Sequence, residues 1–144
     1  MTLAGHVTAV SNLIARYAEL VDTGDFAAVG GLFRYGAFVG RGEPARGAEA
    51  VERMLRDTVV VYEDGTPRTH HVTSNLAVEV DEQEGTATAR SYVTVFQALP
   101  GLALQPVAAG RYQDRFQLRD GSWWFGERRV TVHLVGDVSG HLMS

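Results

Sequence analysis

Apolar residues recur at helical spacing near the start of the chain. They form one face of a predicted amphipathic helix, with polar residues between them: Val10, Leu13, Ile14, Tyr17 and Val21. Thr23 and Gly24 end this helix, because glycine is poorly accommodated inside a helix and common just after one. The pattern therefore predicts a first helix with one buried face.

Two further helices and a short strand follow from the same pattern. Asp25 is placed to cap a second helix from Phe26 to Phe33, so the first two helices are expected to form a hairpin. A short strand is predicted around Ala37–Val39. After a stretch rich in glycine and proline, a third helix is predicted from about Ala48 to Leu55.

The sequence pattern of the second half of the chain predicts long β-strands. Four are predicted: His70–Val80, Thr86–Leu99, Ala108–Leu118 and Trp123–Leu134. Asp120 and Gly121 between two apolar runs indicate a hairpin. Helices followed by a four-strand meander predict an α+β fold, with the helices packed on one face of a curved antiparallel sheet.

Composition narrows the class of protein. A chain of 144 residues with 45% hydrophobic content suits one domain over residues 1–144 with one core. No run approaches the roughly 20 apolar residues of a membrane span, and the N-terminus lacks a secretory signal, so a cytoplasmic protein is expected. The net charge of −4 disfavours nucleic acid as a partner. Without cysteine there are no disulfides and no thiolate ligands or nucleophiles.

Asp22 and His71 are the smallest catalytic unit that the sequence offers. Asp22 lies at the predicted C-terminus of the first helix, where a carboxylate meets the negative end of the helix dipole at a cost of roughly 0.3–1 kcal/mol. A partner histidine would explain this position. A carboxylate that orients an imidazole makes a general base that works near neutral pH.

Strand alternation complicates the choice of histidine. His70 shares a face of its strand with Val78 and Val80, whereas His71 shares the other face with Thr73. Strict alternation would turn His70 inward, and a β-bulge would turn His71 inward instead. We take His71 as the candidate and His70 as the alternative. Because neighbouring strand residues point to opposite faces, the two do not form a joint metal site, and no metal is expected.

Several segments together resemble a known family. They are the helix end Arg16–Phe26, the stretch Gly40–Leu55, the strand with His71, Thr73 and Asn75, and the run Gly110–Phe116 with Trp123 and Arg128. In order and spacing this chain resembles the SnoaL-like domains of the nuclear transport factor 2-like superfamily over nearly its whole length. The resemblance implies a cone-shaped fold that encloses a largely apolar pocket.

The resemblance also implies site residues. Scytalone dehydratase, lindane dehydrochlorinase and bile-acid 7α-dehydratase carry an Asp-His dyad, and Asp22 and His71 match its positions. Tyr17 matches a tyrosine one turn before the aspartate, and Arg128 matches a late-strand arginine. The second strand histidine of the scytalone enzyme has no counterpart here.

The function expected from these matches is an acid/base lyase or isomerase that needs no cofactor. His71 would remove a proton from carbon, Tyr17 or Arg128 would stabilise the oxygen that gains charge, and loss of water would follow. The substrate would be a small, mostly apolar, cyclic molecule, steroid-like or polyketide-like. Two alternatives are a non-catalytic binding or assembly module and a polyketide cyclase or epoxide hydrolase. The resemblance further implies a homodimer or homotrimer formed through the open face of the sheet.

Overall fold

The computed structural model describes residues 1–143, so Ser144, the last residue of the predicted domain, lies outside it. Three helices are present: α1 Leu3–Asp22, α2 Phe26–Leu32 and α3 Ala48–Thr58. The strands are β1 Ala37–Val39, β2 Ala45–Arg46, β3 Thr69–Asp81, β4 Thr86–Leu99, β5 Leu102–Arg119 and β6 Ser122–Val135. The predicted elements are all found, but β5 begins six residues before the predicted Ala108, and β2 is an addition.

The strands form one six-stranded sheet in the order β2-β1-β6-β5-β4-β3. The predicted meander is confirmed, because β3 to β6 pair with their chain neighbours in antiparallel fashion. Two short strands extend the sheet beyond β6: β1 lies parallel to β6, and β2 lies antiparallel to β1. The fold is therefore α+β with a mixed sheet.

The helices cover one face of this sheet, called the inner face below. Helix caps fix where they begin: the side chain of Thr2 accepts a hydrogen bond from the Gly5 amide, and that of Asp25 accepts one from the Ala28 amide, as predicted for Asp25. The core between the layers includes Ile14, Val29, Phe33, Val51, Val93, Val107, Phe116 and Phe125. None of the helices within residues 1–143 is long and apolar enough to cross a membrane.

A close backbone approach holds the start of β3 against the end of α1. Gly24 has φ +79°, and a Cβ there would come within 2.0 Å of the Gly65 carbonyl oxygen. Glycine is therefore required, both for the left-handed backbone and for the space. This contact brings the loop that precedes Thr69 beside Asp22, and so sets the position of the candidate site.

Candidate active site

The Asp22 carboxylate is held at the end of α1 by three hydrogen bonds from β3. The Thr69 hydroxyl and the His71 amide each donate to it at 2.8 Å, and His71 Nδ1 lies 2.6 Å from its Oδ1. These donors compensate for the repulsion between the Asp22 carboxylate and the negative end of the helix dipole. Partial burial acts to raise the pKa of Asp22, but the hydrogen bonds from His71 and Thr69 outweigh it and leave the pKa below its usual value.

This arrangement fixes the tautomer of His71. An ionised carboxylate only accepts hydrogen bonds, so the proton between the two groups belongs to His71 Nδ1. In the neutral imidazole Nε2 then carries the lone pair. Asp22 thus orients the ring and leaves His71 Nε2 as the atom able to accept a proton.

A β-bulge turns His71 inward. Ser74 pairs with Tyr92 and Ala77 with Arg90, so Asn75 and Leu76 together oppose a single residue of β4. Asn75 has φ 51°, a left-handed backbone that asparagine tolerates better than most residues. The extra residue reverses the alternation between the two halves of β3.

The two halves of β3 consequently present different residues to the interior. His71 pairs with the buried Val95, whereas Val78 and Val80, beyond the bulge, pack on the core. His70 is exposed on the other face. The structure therefore resolves the choice between the two histidines in favour of His71 as the residue that meets Asp22.

Tyr17 and Arg128 lie together in a second buried cluster. Arg128 has no exposed surface and makes a bidentate ion pair with Asp114, with both N–O distances 2.9 Å. Its guanidinium lies 3.6 Å from the ring centre of Tyr112 and 4.4 Å from that of Tyr17. Within residues 1–143 neither Tyr17 nor Arg128 forms a hydrogen bond with Asp22 or His71.

The two clusters are nevertheless electrostatically connected. Burial raises the pKa of Tyr112, and the negative charges of Asp114 and Asp22 act in the same direction, against the opposing charge of Arg128. Burial also raises the pKa of Tyr17 well above its usual value. Both phenols therefore remain protonated at neutral pH and are able to donate hydrogen bonds.

A second histidine, His141, also reaches this site. Its ring centre lies 6.1 Å from that of His71, at an interplanar angle of 74°. It arrives on the C-terminal segment, residues 138–143, which folds back onto α3 and β4. No local sequence pattern indicates this contact, because it depends on how the C-terminal segment returns across the fold.

Sequence reasoning also missed Thr69 and Asp114. For Asp114 a signal was present: in the run from Gly110 to Phe116 it shares a strand face with Tyr112 and Phe116, and a carboxylate on an apolar face needs a buried partner. Arg128, on the adjacent strand, is that partner. Thr69 offered no such signal, since a threonine at the start of a strand is unremarkable.

Buried polar atoms without hydrogen-bond partners lie on the inner face of the sheet and on the C-terminal segment. Within the described part of the chain these are Ser91 Oγ, Gln97 Oε1, Arg128 Nη1 and His141 Nδ1. Buried polar atoms are normally paired.

Two hollows of about 380 and 490 Å³ lie on the opposite, outer face, lined among others by Arg90, Gln113 and Glu127. In the same described part, no group of three or more side chains is arranged to hold a metal ion.

Comparisons with known proteins agree with this fold. The family model of the SnoaL-like domain matches residues 5–129. A protein of unknown function from Mycobacterium tuberculosis, solved as an aspartate-to-asparagine variant, is 28% identical with a TM-score of 0.74, over 92% of this chain and 75% of that one.

Two structures from Novosphingobium aromaticivorans share the fold at lower identity. An NTF2-like protein with a cystatin-like fold is 23% identical with a TM-score of 0.75, over 89% of this chain and 82% of that one. A protein provisionally assigned as a scytalone dehydratase is 20% identical with a TM-score of 0.74, over 93% and 88% of the two chains. The search of curated proteins found no match.

Proposed function

The chain belongs to the SnoaL-like domain family, and we propose that within this family it is an acid/base lyase of the dehydratase type. The observation that carries the proposal is the orientation of His71 by Asp22, with a distance of 2.6 Å between Nδ1 and Oδ1. Because three hydrogen bonds fix the carboxylate, His71 Nε2 is a preorganised base on the inner face of the sheet.

The reaction begins when His71 Nε2 removes a proton from a carbon atom next to a carbonyl group. Loss of a hydroxyl group from the neighbouring carbon completes the elimination. A positioned general base contributes typically ~10²- to 10⁴-fold. The side chains of His71 and Asp22 are 9% and 18% exposed, and partial burial strengthens the hydrogen bonds that act on the charge that develops.

The unpaired polar atoms on the inner face favour an oxygenated substrate. Gln97 Oε1 is a buried acceptor without a partner, and Gln97 Nε2 bonds to the Gly140 carbonyl beside His141, so a hydroxyl group of a ligand would satisfy this acceptor. The proposed elimination also requires a carbonyl group beside the carbon that loses its proton. We therefore propose a cyclic compound with a carbonyl and a β-hydroxyl group as the substrate.

A turnover assay tests the proposed function. Purified protein is incubated with a panel of cyclic β-hydroxy carbonyl compounds, and formation of the conjugated product is followed by absorbance. We expect His71→Asn and Asp22→Asn to lower kcat by about 10²-fold or more, because each removes the oriented base. His70→Asn is the matched control, since His70 is adjacent but exposed on the other face.

The outcomes separate catalysis from binding alone. If both dyad variants turn over substrate at the wild-type rate, the acid/base proposal is wrong. If compounds of the panel bind without turnover, the non-catalytic binding module becomes the better description.

We further propose that copies of this chain associate through the outer face of the sheet. Tyr92 on β4 and Leu134 on β6 are 45% and 61% exposed there, with β5 between them in the sheet. Large exposed apolar residues of this kind are typical of an interface. Light scattering after size-exclusion chromatography should give a molecular mass that is a multiple of 15.6 kDa for the wild type. The mass of the Leu134→Glu variant should be lower.

Val61→Glu is the control for this association experiment. Val61 is a similarly exposed apolar residue, but it lies in the loop after α3 and outside the sheet. A wild-type mass of a single chain would contradict the proposed association.

A further inference from the structure

The C-terminal segment is fixed over the candidate site by hydrogen bonds. They run from the Val60 amide to the His141 carbonyl at 2.8 Å, from the Met143 amide to the Thr58 carbonyl at 2.9 Å, from Gln97 Nε2 to the Gly140 carbonyl at 2.9 Å, and from the Tyr62 hydroxyl to the same carbonyl. Because these bonds flank His141 on both sides, its backbone position is determined.

His141 is buried, but one of its ring nitrogens lacks a hydrogen-bond partner. The residue is 6% exposed, and within residues 1–143 its Nδ1 has no hydrogen-bond partner. Leaving a buried polar atom unpaired has a cost, so such an atom needs an explanation. A bound ligand that supplies the missing partner provides one.

The environment of His141 keeps its ring uncharged. Burial lowers the pKa of His141 to about 4, and the neighbouring His71 acts in the same direction, while Asp22 opposes them. At neutral pH the ring therefore carries one N–H donor and no charge. A neutral imidazole in this state is suited to polarise a substrate oxygen by hydrogen bonding.

We propose that His141 is a further catalytic residue, whose Nδ1–H donates a hydrogen bond to the substrate oxygen that gains negative charge when His71 removes the proton from carbon. The inference rests on the proposed function. The 6.1 Å between the two ring centres suits groups that reach neighbouring atoms of one small molecule, since each hydrogen bond spans ~2.6–3.2 Å.

The proton and electron balance of the step closes without another reactant. The proton moves from carbon to His71 Nε2, and the electrons of the broken C–H bond move onto the carbonyl oxygen to form an enolate. When the carbonyl re-forms, the C–O bond of the β-hydroxyl group breaks, and the leaving hydroxide takes the proton from His71 to depart as water. His141 keeps its proton throughout and stabilises the enolate.

This role was expected of Tyr17 or Arg128, and the geometry favours His141 instead. Arg128 already uses two of its nitrogens on Asp114, and Tyr17 packs against Phe33, Phe125 and the guanidinium. Of these three candidates, His141 is the one whose ring lies beside His71.

Binding of 4-nitrophenolate, followed by its visible absorbance, tests the inference directly, because a phenolate oxygen resembles the enolate oxygen. We expect His141→Leu to weaken binding at least tenfold. His141→Asn, which keeps a donor near the position of Nδ1, should recover most of that loss. His133→Leu changes an exposed histidine on β6 and should bind like the wild type.

Absence of 4-nitrophenolate binding to the wild type, or equal binding by wild type and His141→Leu, would overturn the inference. Hydrogen exchange of the Met143 amide, which bonds to the Thr58 carbonyl, shows whether the segment stays docked in each variant. If His141→Asn restores the binding that His141→Leu loses, and the Met143 amide exchanges at the wild-type rate in both variants, the loss does not come from detachment of the segment.

Turnover separates this inference from the proposed function. In the β-hydroxy carbonyl assay His141→Leu should lower kcat with little change in KM, because the hydrogen bond strengthens as charge develops. Turnover that needs Asp22 and His71 but is indifferent to His141→Leu overturns only the role of His141. Turnover indifferent to Asp22 and His71 overturns the proposed reaction and, with it, any catalytic role for His141.

Discussion

At the scale of single residues, His141 makes the stability of the protein depend on pH. Its folded-state pKa of about 4 lies below the unperturbed 6.5. Between these values the unfolded chain binds the proton and the folded chain does not. Stability is therefore complete above about pH 6.5 and falls as the pH drops toward 4, by about 3 kcal/mol in total.

Asp22 adds to this effect at lower pH. Hydrogen bonds from His71 and Thr69 hold its pKa below 3.8 against the opposing effect of burial, so its contribution is lost as the pH falls through that lowered value. The two residues thus act in the same direction but in successive pH ranges.

Urea denaturation at pH 7 and pH 5 measures the histidine contribution. We expect the wild type to lose unfolding free energy between these pH values, and His141→Leu to lose markedly less, since it has no imidazole to protonate. His133→Leu removes an exposed histidine and should keep the wild-type pH dependence. Parallel losses in all three proteins would contradict the assignment to His141.

At the scale of elements, the bulge in β3 determines which histidine meets Asp22. Asn75 has φ 51°, where a β-branched residue is strained by roughly 1–2 kcal/mol and glycine is not. We expect Asn75→Val to lower the free energy of unfolding by about that amount and Asn75→Gly to leave it nearly unchanged.

The His71 Nδ1 proton reports on the same bulge. Its hydrogen bond to Asp22 should give a strongly downfield proton resonance in the wild type and in Asn75→Gly. In Asn75→Val the signal should weaken or be lost as the register around His71 is disturbed. An Asn75→Val protein with wild-type stability and an intact signal would show that the bulge does not set the site.

The elements themselves could be predicted from the sequence because their signals are local. Helix periodicity, the Asp25 cap and strand alternation each depend on residues a few positions apart, and they gave the order of helices and strands. The two residues of β2 are too few to show alternation, and they are a strand only because β1 lies beside them.

The candidate site was predictable only in part, because it depends on contacts between residues that are far apart in the chain. Asp22 and His71 were identified from a helix dipole, a family resemblance and the possibility of a bulge, although the position of the bulge at Asn75 was not anticipated. The contact of His141 with His71 joins positions 70 residues apart in the chain. No local pattern encodes how a terminal segment returns across the fold.

At the scale of the whole molecule, one buried ion pair joins strands β5 and β6 beneath the first helix. Asp114 and Arg128 are opposite each other in the strand ladder, both fully buried, with Tyr17 of α1 stacked over the guanidinium. Removing one partner of such a pair leaves an uncompensated buried charge, which costs about 3–5 kcal/mol. This is a large part of the ~5–15 kcal/mol that stabilises a typical fold.

We therefore expect Asp114→Asn to lower the free energy of unfolding, measured by urea denaturation, by about 3–5 kcal/mol. Glu127→Gln is the matched control, because Glu127 pairs with Arg115 on the next rung of the same two strands, where Arg115 is 69% exposed. Exposed pairs contribute about 0–1 kcal/mol. Equal effects of the two substitutions would show that burial does not govern the Asp114–Arg128 pair.

A double substitution separates the structural role of this pair from any role in catalysis. Apolar residues of similar volume often replace a buried ion pair without loss of stability, so Asp114→Leu with Arg128→Met should be more stable than Asp114→Asn alone. If the pair serves only to hold the strands together, turnover should recover along with stability. If Arg128 Nη1, buried and without a partner in residues 1–143, contacts the substrate, the double variant should be stable yet show a raised KM or a lowered kcat.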